Sequence, residues 1–173
     1  MARWLVGLLL VSGSAFASQG MYSLMSTGDF LSPIEMVKKL EQLHPGVISE
    51  FEAELDDGEL IYEFKIINPD ENTISEYEYR ATDGSLKSRD IAPLRHRNQD
   101  ELAGTLMLQQ SGLSFSEMLT IICKDRSGHI VKAEIDSDLG ISYIELEILD
   151  VDGKTKLAFD MESKQLLPLL KWD

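Results

Sequence analysis

The sequence contains a single cysteine, Cys123, among its 173 residues. One cysteine cannot form an internal disulfide, so the stability of the fold must come from packing. Cys123 follows Ile121 and Ile122 in a predicted helix, and we interpret it as a small buried apolar residue. Two alternatives stay open: an intermolecular disulfide, and a nucleophile, which would need a nearby base and a lowered thiol pKa. His129 is near in sequence, but a predicted turn separates it from Cys123.

Basic residues are also scarce, because 16 Lys and Arg stand against 30 Asp and Glu, for a formal net charge of -14. A negative surface repels phosphate backbones, so we expect no nucleic-acid partner. The same charge disfavours docking on anionic lipid. Cationic proteins and divalent cations are compatible with it, although solubility alone would also explain the charge.

Motifs of catalysis and cofactor binding are missing from the sequence. It has no glycine-rich phosphate loop, no His-Glu-x-x-His, no Cys-x-x-Cys and no Gly-x-Ser-x-Gly. His44, His96 and His129 lie in separate segments, whereas a zinc site needs three or four convergent ligands. We therefore predict a protein that is not an enzyme, with no catalytic residues, no cofactor and no metal site.

Two short acidic stretches have the Asp-x-Asp spacing of calcium loops, at residues 136–138 and 150–152. Neither is followed by the spaced bidentate Glu of an EF-hand. Asp and Gly are also the ordinary residues of hairpin turns. We therefore interpret both stretches as turns, with calcium binding as the alternative.

The longest hydrophobic run is too short to span a bilayer, which takes about 20 residues. Arg3 precedes the apolar residues 4–11, and Ala15 and Ala17 form an Ala-x-Ala site before Ser18. This pattern predicts a secretory signal over residues 1–17, with an uncleaved anchor or a buried first helix as alternatives. No cysteine lies near the cleavage site, so we expect no lipid attachment. The mature protein is then periplasmic or secreted, without stable membrane insertion.

The remaining sequence is organised as a repeat with an offset of 82 residues, the difference between Ser114 and Ser32. The matching pairs are Ser32 with Ser114, Glu35 with Glu117, Met36 with Met118, Gly46 with Gly128, Ile48 with Ile130, Glu52 with Glu134, Asp56 with Asp138, Gly58 with Gly140, Glu63 with Glu145 and Ile66 with Ile148. The offset then falls by two, so Tyr77, Tyr79 and Ala81 match Leu157, Phe159 and Met161. Repetition of this kind indicates a duplicated structural unit.

Each copy begins with Ser-x-x-Glu, the capping box that starts a helix. Alternating apolar and charged residues then predict three strands joined by short turns. The predicted fold class is therefore α+β, with two units of one helix and a three-stranded antiparallel meander. The helix of each unit packs on the apolar sheet face and leaves the charged face in solvent.

The predicted division of the chain has five parts. Residues 18–31 form a flexible leader, 32–91 the first unit, 92–113 a linker and 114–173 the second unit, after the signal at 1–17. The linker carries a helix over 100–110, with Leu102, Leu106 and Gln109 on its apolar side. The apolar tail, including Trp172, is expected to pack on a unit or to form an interface. Whether the two units share one sheet stays open.

These residues resemble the PepSY domain family over most of the mature chain. The resemblance in the first copy is carried by the capped helix, residues 48–52, Gly58, residues 62–66 and the closing turn Asp83-Gly84. In the second copy it is carried by residues 128–134, Gly140 and residues 144–148. The second copy departs from the pattern where Ser163-Lys164 replaces the Asp-Gly turn.

The resemblance implies an exported, non-enzymatic protein that inhibits or chaperones a peptidase or another envelope protein. The implied partner is an envelope protein, such as a peptidase or a sensor domain. The alternative is a periplasmic module that senses a cation or a small ligand. The outer strand face is more acidic in the first copy, at Glu50, Glu52, Glu54, Glu76 and Glu78. This difference predicts that the first unit contacts the partner and the second mainly supports the fold.

Overall fold

A computed structural model describes residues 13–168 of the chain, with side chains from residue 19. The helices are α1 (Gly13–Thr27), α2 (Pro33–Leu43), α3 (Gln99–Ser111) and α4 (Phe115–Cys123), with a 3-10 turn at His96–Asn98. The strands are β1 (Val47–Asp56), β2 (Glu59–Asn68), β3 (Thr73–Arg80), β4 (Leu86–Pro93), β5 (His129–Asp138), β6 (Ile141–Asp150), β7 (Gly153–Asp160) and β8 (Gln165–Leu167). Most of the predicted signal, and Trp172 in the tail, lie outside the described residues. None of the helices described is long and apolar enough to cross a membrane.

The eight strands form one continuous antiparallel sheet in the order β4-β3-β2-β1-β5-β6-β7-β8. The predicted α+β class is confirmed by four helices and this sheet. Each run of four consecutive strands is joined by short turns, and β1 pairs with β5 at the centre. The question left open by the sequence is thereby answered, since both halves of the repeat lie in one sheet.

The prediction of three strands per copy is wrong, because each run contains a fourth. Strand β4 pairs with β3, and the short β8 pairs with β7. The sequence of β4 hides it, because nearly all of its residues are exposed and no apolar alternation is present. The turn before β8 forms without glycine. Lys164 has a left-handed φ of 56° in this turn, and Gly84 has a similar φ of 66° in the turn before β4.

The junction between the two halves is short and has local two-fold character. Strands β1 and β5 pair only at Glu50 with Glu134, Phe51 with Ala133, and Glu52 with Lys132. The central partners, Phe51 and Ala133, differ by 82, the repeat offset, so equivalent residues face each other there. Both are fully buried, and the small alanine leaves room for the large ring. The junction therefore packs a large residue against a small one at its centre.

Residues 18–27 are not the flexible leader that we predicted, because they belong to helix α1. Met21 is buried in the main core, and Leu24 and Met25 pack against that core. The Oγ atom of Ser26 lies 3.0 Å from Nε2 of His129, and the ring of Tyr22 contacts the same imidazole. The apolar residues of α1 have the i, i+3, i+4 spacing of a helix, but the serines between them and Gly20 obscured this helical pattern in the sequence.

Helix α3 lies within one residue of its predicted bounds, but the predicted apolar side was wrong. Leu106 is 39% exposed, and Gly104, Thr105 and Leu108 are buried instead. A Cβ atom on Gly104 would lie 2.4 Å from Cγ2 of Ile135, so glycine permits the helix to approach β5 closely. The pattern of hydrophobic residues did not predict this buried side of α3, because the contact between α3 and β5 depends on small residues.

Helices α2 and α4 are joined by a carboxylate that caps a helix start. Glu41 of α2 accepts hydrogen bonds from the backbone N–H and the Oγ of Ser116, at 3.0 and 2.6 Å. Ser116 is 2% exposed and belongs to the first turn of α4, whose N–H groups have no partner within the helix. The repeat equivalents of these residues are Cys123 and Ile34, which line one small cavity. The polar contact in one place therefore has no counterpart in the other, where an aliphatic side chain and a thiol stand.

We predict that Glu41→Ala destabilises the protein by about 1–2 kcal/mol, because two donors on the buried Ser116 lose their acceptor. Urea unfolding measures the change, with Gln42→Ala as the matched control on an exposed position of the same helix. A loss no larger than that of the control would show that the contact between α2 and α4 contributes nothing to stability.

Candidate functional site: an acidic sheet face

An acidic groove lies on the outer face of the first four strands, and we call this surface the acidic face. It has a volume of about 410 Å³. The charged residues lining it are Glu50, Glu52, Glu63, Lys65, Glu76, Glu78 and Asp90. Strand alternation explains this placement, because these side chains point away from the face that carries the apolar core. Six carboxylates and one ammonium group therefore share a single concave surface.

The acidic face is built from two rows of residues that lie directly opposite one another across the strands. In the first row, Glu52 of β1 opposes Glu63 of β2, which opposes Glu78 of β3. Three glutamates therefore lie side by side, with Lys132 3.7 Å from Glu52 at one end and Lys87 of β4 3.3 Å from Glu78 at the other. Like charges in this arrangement are destabilising, because their repulsion adds across each strand pair.

Glu63, at the centre of the first row, shows the effect of this arrangement most clearly. Partial burial raises the pKa of its carboxyl group above the usual value, and the charges of Glu54, Glu78, Glu52 and Glu50 raise it further. No lysine or arginine among residues 13–168 forms an ion pair with it. The folded protein therefore holds this charge at an energetic cost.

In the second row, Glu50, Lys65, Glu76 and Asp90 follow one another from β1 to β4. Lys65 forms an ion pair with Glu50, whose side chain is 11% exposed. Glu76 and Asp90 form no ion pair within the described part of the chain. The negative charge of this row therefore increases towards the outer strands.

Lys132 of β5 marks the boundary of the acidic face at the junction. Its Nζ lies 3.1 Å from Glu134, 3.6 Å from Glu50 and 3.7 Å from Glu52. Burial alone would lower the pKa of Lys132, but the hydrogen bond to Glu134 and the nearby glutamate charges outweigh burial and raise it. Three carboxylates therefore share one lysine, and Lys132 forms no ion pair with Glu63.

The equivalent surface of the second half is neutralised. Glu145, the repeat equivalent of Glu63, pairs with Lys156 at 3.2 Å. Glu147 lies 3.1 Å from both Lys154 and Lys156. Burial would raise the pKa of Glu147, but these two lysines lower it below its usual value. After the two-residue change of offset, Lys156 is equivalent to Glu76, so one position carries opposite charges in the two halves.

Of the other residues considered in the sequence, the fold brings Cys123 and His129 to one cavity but places His44 elsewhere. Cys123 is half-buried, and burial raises the pKa of its thiol, which disfavours the thiolate that a nucleophile needs. Cys123 and His129 line one cavity of about 170 Å³, but the imidazole Nε2 is engaged by Ser26. His44 instead lies 3.0 Å from the hydroxyl of Tyr79. Within residues 13–168, no group of three or more His, Cys, Asp or Glu is arranged to hold a metal ion.

The two Asp-x-Asp stretches lie at hairpins: residues 136–138 end strand β5 directly before a turn, and residues 150–152 run from the end of β6 into a turn. The carboxylate of Asp150 accepts the backbone N–H groups of Asp152 and Gly153, at 2.8 and 3.1 Å. In the other turn, Leu139 and Gly140 have positive φ values of 51° and 82°. Asp150 therefore uses one oxygen to stabilise its own turn, as aspartate commonly does.

We predict that Glu63→Gln stabilises the protein by roughly 0.5 kcal/mol at pH 7, since it removes the central charge of a like-charged row. The raised pKa of Glu63 makes the wild-type protein lose stability as pH rises through that pKa, so the two proteins should converge as pH falls towards 4. Urea unfolding at several pH values measures this. Glu145→Gln is the matched control, because it removes an ion pair and should not stabilise. Equal effects of the two substitutions would contradict the difference between the halves.

Comparisons with known proteins give two similar solved structures. One is the "putative lipoprotein" CD1622 from Clostridium difficile 630, at 13% identity and a TM-score of 0.46, covering 82% of this chain and 94% of the other. The second is the YpmB protein from Bacillus subtilis, at 12% identity and a TM-score of 0.31, covering 92% of this chain and 97% of the other. No family model matches the sequence, and no curated protein does.

Proposed function

We propose that this chain is an exported, non-enzymatic binding protein of the PepSY type, which modulates a peptidase or another protein of the bacterial envelope. The amino-terminal signal pattern supports export. The repeat and the residues that resemble the PepSY domain support the assignment of two PepSY-like units. In this interpretation each unit consists of a helix on a meander, and β1 and β5 join the two meanders into one sheet.

The observation that carries the proposal is Glu63 at the centre of the acidic face, which has no ion pair among residues 13–168, whereas its neighbours Glu52 and Glu78 contact Lys132 and Lys87. In the equivalent row of the second half, Glu145 pairs with Lys156, and Ala158 stands where the first half has Glu78. Solubility would be served equally well by carboxylates that are spaced apart. A row of adjacent glutamates is instead suited to a cationic partner, because binding would relieve their repulsion and so add to the affinity.

The partner's chemistry follows from this arrangement. A surface rich in lysine or arginine would replace the missing cations of both rows, and the net charge of -14 would speed its approach. The groove is open, so it can accept a protein surface. The first half would then bind the partner, and the second half would hold the sheet in its register.

A cation sensor is the competing function, and the same carboxylates motivate it. Calcium prefers six to eight oxygen ligands that converge on one point. The rows instead spread their carboxylates across four strands, which favours an extended cationic surface over a single ion. Protein binding is therefore the function that the geometry supports better.

We predict that crosslinking in intact cells captures a partner with the wild-type protein, and that Glu63→Lys reduces its recovery about tenfold, since one reversed charge at a close contact typically costs at least 1.4 kcal/mol. Glu145→Lys is the matched control at the equivalent position, and it should change recovery less than twofold. Recovery by the wild-type protein should also fall as ionic strength rises.

The proposal fails if no partner is captured at native expression, or if the two substitutions reduce recovery equally. A rise in melting temperature at millimolar calcium that Glu63→Gln abolishes would favour the cation sensor. Unchanged melting with calcium would remove that alternative.

A further inference from the structure

The sheet ends beside the acidic face in an open edge strand. Strand β4 is eight residues long, and no strand among residues 13–168 pairs with its outer side. The opposite edge differs in length, because β8 has only three residues, while both edges end at a proline, Pro93 in β4 and Pro168 after β8. A short edge discourages strand pairing, whereas a long exposed edge presents a row of backbone N–H and C=O groups. The two ends of the sheet therefore differ in their capacity to accept another strand.

The side chains of β4 alternate in chemistry as well as in direction. Its register with β3 places Ser88 and Asp90 on the acidic face, in line with Glu78 and Glu76. Leu86 and Ile91 lie opposite Tyr79 and Ser75, on the other face of the sheet. They are 50% and 48% exposed. The edge thus borders the acidic face on one side, where Lys87 is paired with Asp56 and Glu78, and on the other side presents Leu86 and Ile91 on either side of Arg89, which lies over the ring of Tyr77.

We propose that β4 accepts an extended segment of a basic protein as a ninth strand of the sheet. The segment's backbone would pair with the outer edge of β4, as in other cases of strand addition. Its basic side chains would extend the rows of the acidic face beyond Asp90. Its alternate side chains would be apolar and would cover Leu86 and Ile91. This inference rests on the proposed binding function and specifies how the partner is held.

A second copy of this chain fits the edge less well than a basic segment does. Pairing β4 with itself about Asp90 would place two aspartates opposite each other, and pairing about Arg89 would oppose two arginines. Any such dimer would also join two acidic faces into one, at a net charge of -14 per chain. The carboxylates of the acidic face beside β4 therefore favour a basic segment over a second copy.

An eight-residue peptide of alternating lysine and valine tests the proposal, because it matches β4 in length and carries both required faces. We predict binding to the full-length protein, measured by fluorescence anisotropy of the labelled peptide. Methylation of alternate backbone nitrogens removes the N–H donors along one edge of the peptide. If the methylated edge is the one that faces β4, the peptide should bind at least tenfold more weakly. Both methylation patterns are therefore measured. Amide exchange of β4 should slow on binding of the unmodified peptide.

Substitutions locate the site and separate the two proposals. Asp90→Lys should weaken binding of the peptide about tenfold, and the matched control Asp152→Lys, on the exposed turn between β6 and β7, should not. If both methylated peptides bind as well as the unmodified one, and Glu63→Lys still weakens binding, strand addition is wrong and the acidic face stands. If neither Asp90→Lys nor Glu63→Lys affects binding, both proposals fail. A dimer whose β4 amides are already protected would overturn strand addition in favour of a second copy.

Discussion

The short pairing of β1 with β5 is the contact on which the rest of the structure depends. Three residue pairs, centred on Phe51 and Ala133, convert two four-stranded runs into one sheet. Their register also decides which charges become neighbours across the junction. Lys132 faces Glu52 at the inner end of the row of three glutamates, and Lys87 contacts Glu78 at its outer end. The junction therefore fixes both the size of the core and the boundary of the acidic face.

The two halves of the sheet share one arrangement of strands, but their surfaces differ. The buried positions match closely, as Ile66 and Ile148 do, whereas the outer strands carry Glu76 in one half and Lys156 in the other. The same divergence gives Cys123 a structural explanation. It stands where the first copy has Glu41, and it needs no capping role because the residue equivalent to Ser116 is the apolar Ile34.

Local signals in the sequence predicted the parts of the fold that depend on local interactions. Both capping boxes form, at Ser32 and Ser114, because their hydrogen bonds lie within one helical turn. Strand β4 was missed because an exposed edge carries no alternation, and the buried side of α3 was missed because it uses Gly104 rather than large apolar residues. The acidity of the first copy was visible in the sequence. The alignment of Glu63 between two other glutamates was not, because it depends on cross-strand register and on the irregularity between Ile48 and Glu50.

The central claim is that the acidic face keeps an unneutralised charge for a cationic partner, and titration of single carboxyl groups by NMR tests it most directly. The account predicts a pKa above 4.5 for Glu63 and below 4.5 for Glu147 in the free protein. It also predicts that the pKa of Glu63 falls when the alternating lysine and valine peptide binds, because an opposite charge then stabilises the carboxylate. A pKa of Glu63 at or below 4.5 in the free protein, or one unchanged by the bound peptide, would contradict the account.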